Sequence, residues 1–330
     1  MALTDKYKKR LHLIFRILIS GGILALLFSR IQFETMWEAI RTSSLVVLLL
    51  TLFLSLFERF VMVVKLWVLY RAKEIYTSFW RLYKLILATT FVGKFAPTSL
   101  GVDMIRIYGL SRATKNTVES VSVILIDRFL AVVIILIMAT VAFFSGDYLQ
   151  QELQIYVAIG MLVCLLMVPI IGFSKRLRIR IGNILRKVRF IGKYVDMAGQ
   201  VVHSFYEFRK HPLYLLILFG LSLVFQLGRV LVPFMVTRAM GISMPITYFF
   251  LFVPIVIVLA MLPLSIGGVG IREGGIAYFL VQGGATLDQA VGITVLIFVI
   301  TLLAGLPGGF FYLVEGFGKV DKKDENLKES

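Results

Sequence analysis

The chain has 330 residues, of which 59% are hydrophobic and 16% charged, against about 45–50% and about 25% in soluble domains. Soluble cores cannot hide that much apolar surface, so lipid must solvate part of it, and the composition predicts an all-α polytopic membrane protein. The 35 Lys and Arg against 19 Asp and Glu give a formal charge of +16. No basic soluble module exists to carry nucleic-acid binding, so these charges belong to the membrane surface and its anionic headgroups. A single cysteine, Cys164 in an apolar run, excludes an intramolecular disulfide framework and a cysteine-cluster metal site.

A basic stub of Lys6, Lys8, Lys9 and Arg10 precedes the first apolar run, Leu11–Ser29. No small-residue cleavage site precedes Arg30, so the run is kept as a span rather than a signal peptide. Leu45–Tyr70 is the second span. Leu82–Leu110 is apolar but broken midway by Pro and Gly. Val121–Phe144 and Ile155–Phe173 follow as the third and fourth spans. Residues 174–211 interleave ten Lys and Arg with apolar residues. They fit either a surface helix on anionic lipid or a plain positive-inside loop. Leu213–Val236 is the fifth span, Tyr248–Leu280 is again broken by Pro and Gly, and the run after Thr286 is the sixth. One transmembrane domain is expected over 1–318, followed by a polar cytoplasmic tail at 319–330.

The two broken segments are alike. Pro97-Thr98-Ser99-Leu100-Gly101-Val102-Asp103-Met104-Ile105-Arg106 aligns without a gap on Pro263-Leu264-Ser265-Ile266-Gly267-Gly268-Val269-Gly270-Ile271-Arg272, sharing Pro, Ser, Gly, Ile and Arg. Downstream, Thr117-Val118-Glu119-Ser120 resembles Thr286-Leu287-Asp288-Gln289, each introducing a long apolar run. A break, a short helix and a capped full span, met twice, predict a duplication, with repeat 1 at about 82–144 and repeat 2 at about 248–313.

Reading both broken segments as re-entrant hairpins places twenty-five Lys and Arg in the loops of one side. Only Arg30, Arg41 and Arg238 fall on the other. This positive-inside asymmetry predicts cytoplasmic termini. The expected fold is therefore six full spans plus two re-entrant hairpins related as an inverted repeat, an arrangement common in secondary transporters.

Irregular backbone at membrane depth must be buried in protein or line a wet cavity. Each hairpin tip also starts a half-helix, near Gly101 and near Gly270, whose amide groups and positive dipole end would face an anion. Ser99 and Ser265 can cap or donate, and Gly101, Gly267 and Gly268 permit close backbone approach. On the alternative view the breaks only let helices kink and pack, which leaves the paired Arg106 and Arg272 unexplained.

Ionisable residues within apolar segments supply the second clue. Each costs at least about 2.5–3.5 kcal/mol on insertion scales, so it usually faces a partner or a pathway. Arg16 and Lys65 are near enough to an interface to snorkel. Glu58, Arg59, Asp103, Arg106, Asp127, Arg128, Arg229, Arg272 and Glu273 are not so easily excused. Internal salt bridges are one reading, with Asp103 on Arg106 or Arg128 and Glu273 on Arg59 or Arg229. The excess of cations favours a second, an anionic phosphate shared between several of them. Asp103, Asp127 and Glu273 would hold the cations, and Glu58 and Arg59 would act as charge partners or couple protons. The histidines His12, His203 and His211 share no metal-binding spacing, and Gly267-Gly268-Val269-Gly270 lacks the strand–helix–strand setting of a dinucleotide site. Neither metal nor cofactor is expected.

The segment Pro97…Gly101-x-Asp103-x-x-Arg106, the pair Asp127-Arg128, and Leu262–Gly274 with its Ser265-Ile266-Gly267-Gly268-Val269-Gly270-Ile271-Arg272-Glu273 core resemble the flippase-like family. That family is typified by the transmembrane region of lysylphosphatidylglycerol synthase (multiple peptide resistance factor). The resemblance covers roughly residues 10–317. It implies an inner-membrane protein that moves an anionic or aminoacylated phospholipid, or a related lipid-linked headgroup, between leaflets. The chain stops at Ser330 without the synthase's cytosolic aminoacyl-transferase domain, so aminoacyl transfer from tRNA is not expected. An enzyme of lipid-linked sugar or phospholipid synthesis and a non-catalytic scaffold are the alternatives. Self-association or a lipid-synthesis partner fits any of the three.

Overall fold

A computed structural model describes residues 37, 40–75, 77–93, 99–114, 116–144, 212–261 and 270–315. The expected spans Leu11–Ser29 and Ile155–Phe173, the basic segment 174–211 and the tail lie outside them, as do both hairpin tips, at 94–98 and 262–269. Among the described residues all regular structure is helical. In chain order the helices are α1 Leu45–Ala72, α2 Phe79–Gly93, α3 Ser99–Thr114, α4 Thr117–Phe144, α5 Pro212–Ala239, α6 Ile246–Met261, α7 Ile271–Gln282, α8 Leu287–Leu303 and α9 Leu306–Glu315.

Four units of 28 residues are long and apolar enough to cross a membrane: α1, α4, α5 and the nearly continuous α8–α9 rod, Leu287–Val314. At about 1.5 Å per residue each spans about 42 Å, more than the roughly 30 Å hydrocarbon layer. They coincide with the second, third, fifth and sixth expected spans. The two Pro/Gly-broken segments become pairs of shorter helices, 15 and 16 residues in α2 and α3, 16 and 12 in α6 and α7. Within each pair the two helices pack on one another.

Helix starts follow from local chemistry. At α8 the Gln289 amide donates to Thr286 Oγ1 (3.3 Å), and the Thr286 amide donates back to Gln289 Oε1 (3.0 Å), a reciprocal capping box. At α4 the cap is Asn116 rather than Thr117, with Asn116 Oδ1 accepting from the Glu119 amide at 3.1 Å. The sequence match of Thr117 with Thr286 is thus shifted by one residue in capping role, because the longer Asn side chain already reaches the third helical amide. Gly270, at φ +88, turns the chain into α7 in a conformation that favours glycine.

α1 and α5 run antiparallel in close contact. The Ser44 amide before α1 donates to the Ala239 carbonyl at the end of α5 (2.8 Å), while further along α1 Lys65 lies over the ring of Phe225. The outward face of α1 carries exposed Leu49, Leu50, Phe53, Phe57 and Phe60, whereas Thr51, Ser55 and Lys65 are buried on its inward face. Polar-in and apolar-out is the arrangement lipid imposes.

Two apolar clusters flank this inward face. One joins Val63, Leu66, Leu69 and Tyr70 of α1 to Leu82 and Ile86 of α2, Leu110 of α3, Ile124 and Ile126 of α4 and Leu218 of α5. The other joins Ile134 and Met138 of α4 to Val230 and Val236 of α5 and to the buried faces of α6, α7 and α8. Polar side chains interrupt these clusters: Lys65, Asp127 and Arg128 are set among the residues of the first, and Ser55, Glu58, Ser222, Gln226 and Arg229 form a polar layer on α1 and α5. Thr286→Ala should cost about 1 kcal/mol by removing the α8 cap. The expected readout is a fall of a few degrees in the thermal midpoint of the detergent-solubilised protein.

Candidate functional site

The first part of the site is built by α3, α4 and α1. Asp103 and Arg106 lie one turn apart on α3, with Arg106 Nη1 3.9 Å from Asp103 Oδ1. Arg128 Nη2 donates to the same Oδ1 at 2.7 Å. Both expected partners of Asp103 are therefore met. The neighbouring Asp127 points about 100° away around α4 and takes Lys65 Nζ at 2.7 Å. Arg106 is buried at 7% exposure, on a helix that continues past it to Thr114.

Lys65 also corrects the sequence reading. Its side chain is 1% exposed and does not snorkel. The carboxylate of Asp127 and the ring of Phe225, 4.7 Å from Nζ, hold the ammonium inside the bundle.

The second part is the start of α7. Arg272 Nη2 and Nε donate to Glu273 Oε1 at 2.6 and 3.0 Å, and the Gly270 amide donates to Glu273 Oε2 at 2.9 Å. Glu273 thus pairs with its neighbour Arg272, not with Arg59 or Arg229. Its third-position carboxylate reaches back over the helix end, as acidic residues there commonly do. The expected anion-ready terminus near Gly270 already holds a carboxylate, and Arg272 presents the rest of its guanidinium outward, with 37% of its side chain exposed.

The third part lies between α1 and α5. Glu58 packs directly on the backbone of Gly228: a Cβ added there would sit 2.6 Å from Glu58 Cγ and 2.7 Å from Oε1. Only glycine leaves room for the carboxylate at this crossing. Arg59 turns the other way, donating to the Thr301 carbonyl on α8 at 2.6 Å and to the Ser55 carbonyl at 3.4 Å. It serves the carbonyls near the break between α8 and α9. Arg229, next to Gly228, has Glu58, Arg128 and Arg272 as its charged neighbours. One arginine of α5 thereby links the α3–α4 cluster to the α7 cluster.

Of the remaining expected site residues, Ser99 and Gly101 fall in the first turn of α3. Ser265, Gly267 and Gly268 lie outside the described residues. Lys65, Ser55, Ser222 and Gln226 were missed as inward polar residues. A signal for the α1 residues existed: Thr51, Ser55, Glu58 and Lys65 fall on one helical face inside an apolar run.

These features define a multi-pass helical membrane protein whose ionisable side chains turn inward among two apolar cores. The chain belongs to the family described as the lysylphosphatidylglycerol synthase TM region, whose model matches residues 13–309. The motif resemblance and this match agree, and the family carries an association with membrane lipid. No curated protein matches the chain.

Replacing Lys65 by Met should destabilise the protein by about 3–5 kcal/mol, since Asp127 is left buried and unpaired. The double replacement Lys65→Met with Asp127→Leu should recover most of that loss. Thermal midpoints of the four members of the cycle in detergent check both statements.

Proposed function

We propose that the protein translocates an anionic or aminoacylated phospholipid, or a related lipid-linked headgroup, between the leaflets of the cell (inner) membrane. The observation that carries this reading is that Arg128 and Arg272, from two other helices, are charged neighbours of the buried Arg229. Guanidinium groups bind phosphate oxygens by paired, charge-assisted hydrogen bonds. A headgroup phosphate drawn among them meets one buried guanidinium, Arg229, and two that stay partly open, Arg128 and Arg272, while its acyl chains remain in lipid.

The architecture we infer is an inverted duplication with both termini cytoplasmic. Its first half is α1 to α4, and its second is α5 with α6, α7 and the α8–α9 rod. The helix pairing supports it. α2 packs on α3 and α3 on α4, as α6 packs on α7 and α7 on α8; α4 packs on α6, as α9 packs on α2. On this reading α2–α3 and α6–α7 are re-entrant hairpins, and rocking of one half against the other alternates access to the arginines. The lipid leaves chemically unchanged, so the protein acts as a transporter rather than an enzyme.

The test uses purified protein in liposomes carrying headgroup-labelled fluorescent anionic phospholipid, with dithionite bleaching only the outer leaflet. Bleaching beyond the outer-leaflet fraction is expected with the wild type. Arg272→Ala and Arg229→Ala should each remove at least about nine-tenths of that excess, in line with loss of a charge-assisted contact worth about 1.5–3 kcal/mol. Protein-independent exchange, or an unchanged rate in both variants, would reject the site. Appearance of a new lipid species on chromatography would point to an enzyme.

A further inference from the structure

The charged groups are not equally supplied with partners. Arg128 has Asp103, Lys65 has Asp127, and Arg272 has Glu273. Arg59 is committed to the Thr301 and Ser55 carbonyls. Arg229 has one carboxylate among its charged neighbours, Glu58, and two like charges, Arg128 and Arg272. Glu58 in turn has Arg229 and its own neighbour Arg59 as the cations acting on it.

Among the described residues the other elements packed on α1 bring no further charge to Glu58. The charged residues of α2 are Arg81 and Lys84 near its start; α8 carries Asp288 at its first turn; α4 offers Asp127 and Arg128, already paired. On α5 the remaining charge is Arg238, held at the far end by Ser243. Among the described residues, Glu58 Oε1 is enclosed and accepts no hydrogen bond.

We propose that Glu58 is a proton-binding site coupled to the headgroup, sharing Arg229 with it: ionised while it faces Arg229, and protonated when the headgroup phosphate takes Arg229. This deepens the transport reading and rests on it. A carboxylate stripped of its counter-charge in an apolar bundle is costly, and uptake of a proton removes the charge. The step forms one O–H bond on Glu58 as one O–H bond of a hydronium ion breaks and leaves water, and no other bond changes. The phosphate brings one negative charge and the proton one positive charge, so the loaded site keeps the charge of the empty one. Ser55, Ser222 and Gln226, on the same two helices, each have an enclosed side-chain oxygen lacking a hydrogen-bond partner among the described residues. Gly228 keeps the carboxyl against the backbone beside Arg229.

By linkage, a proton taken up on binding means that binding tightens as pH falls. The experiment titrates the purified full chain, in detergent micelles, with phosphatidylglycerol from about pH 5 to about pH 9, the range in which buried carboxyl groups are known to titrate. Calorimetry in buffers of different ionisation enthalpy counts the protons. Toward the alkaline end of that range the wild type should take up as much as one proton per lipid, and its Kd should weaken by up to about tenfold per pH unit.

Glu58→Gln should bind with no proton uptake and a flat pH profile, and Glu58→Asp should restore the linkage. Zwitterionic phosphatidylcholine should give no uptake with any of them. Binding of phosphatidylglycerol by the wild type without proton uptake would overturn the proposal and leave the transport reading standing. The same holds if uptake persists in a folded Glu58→Gln protein. Failure of the wild type to bind any anionic lipid at any pH would instead overturn both.

Discussion

A charge inside a bilayer has to be met by the protein, because lipid offers it nothing, and this requirement organises the packing of the chain. Helices with apolar outer faces gain little from sticking to one another in lipid. Polar contacts and close packing give them a reason to associate. Here Lys65 and Asp127 tie α1 to α4, Asp103 and Arg128 tie α3 to α4, and Arg59 ties α1 to α8. The two apolar clusters then fill the space around these charges.

This set of charges is not neutral. Among the described residues its carboxylates are outnumbered by its cations: Arg106 shares Asp103 with Arg128, and Arg229 has Glu58 against two like charges. Buried ion pairs are weak evidence for stability, since replacing both partners by apolar groups often costs nothing. Glu273 occupies the α7 terminus and one edge of Arg272, and on the proposed transport reading it stands in for the headgroup in the empty site.

Much of this was legible along the chain, and the failures are instructive. The broken segments, the four described spans and the ionisable residues in apolar runs follow from hydropathy and from Pro and Gly, which are local properties. Lys65 was misread because its distance from the end of an apolar run suggests snorkelling. Only the presence of Asp127 on another helix decides otherwise. The partner of Glu273 was sought across the bundle, yet the turn at Gly270 lets the carboxylate fold back onto its own helix end.

By itself the sequence determined that the chain lies in a membrane, where its long helices run, which segments are broken, and the family to which it belongs. Each of those rests on periodicity, composition or a contiguous motif. Tertiary structure alone decided which charge meets which: that α5 presents Gly228 to Glu58, that Arg59 serves the carbonyls near the α8–α9 break, and that Arg229 stands between the two clusters. Partner choice among buried ions depends on helix rotation and register, and a helix can turn through 100° per residue without changing its hydropathy.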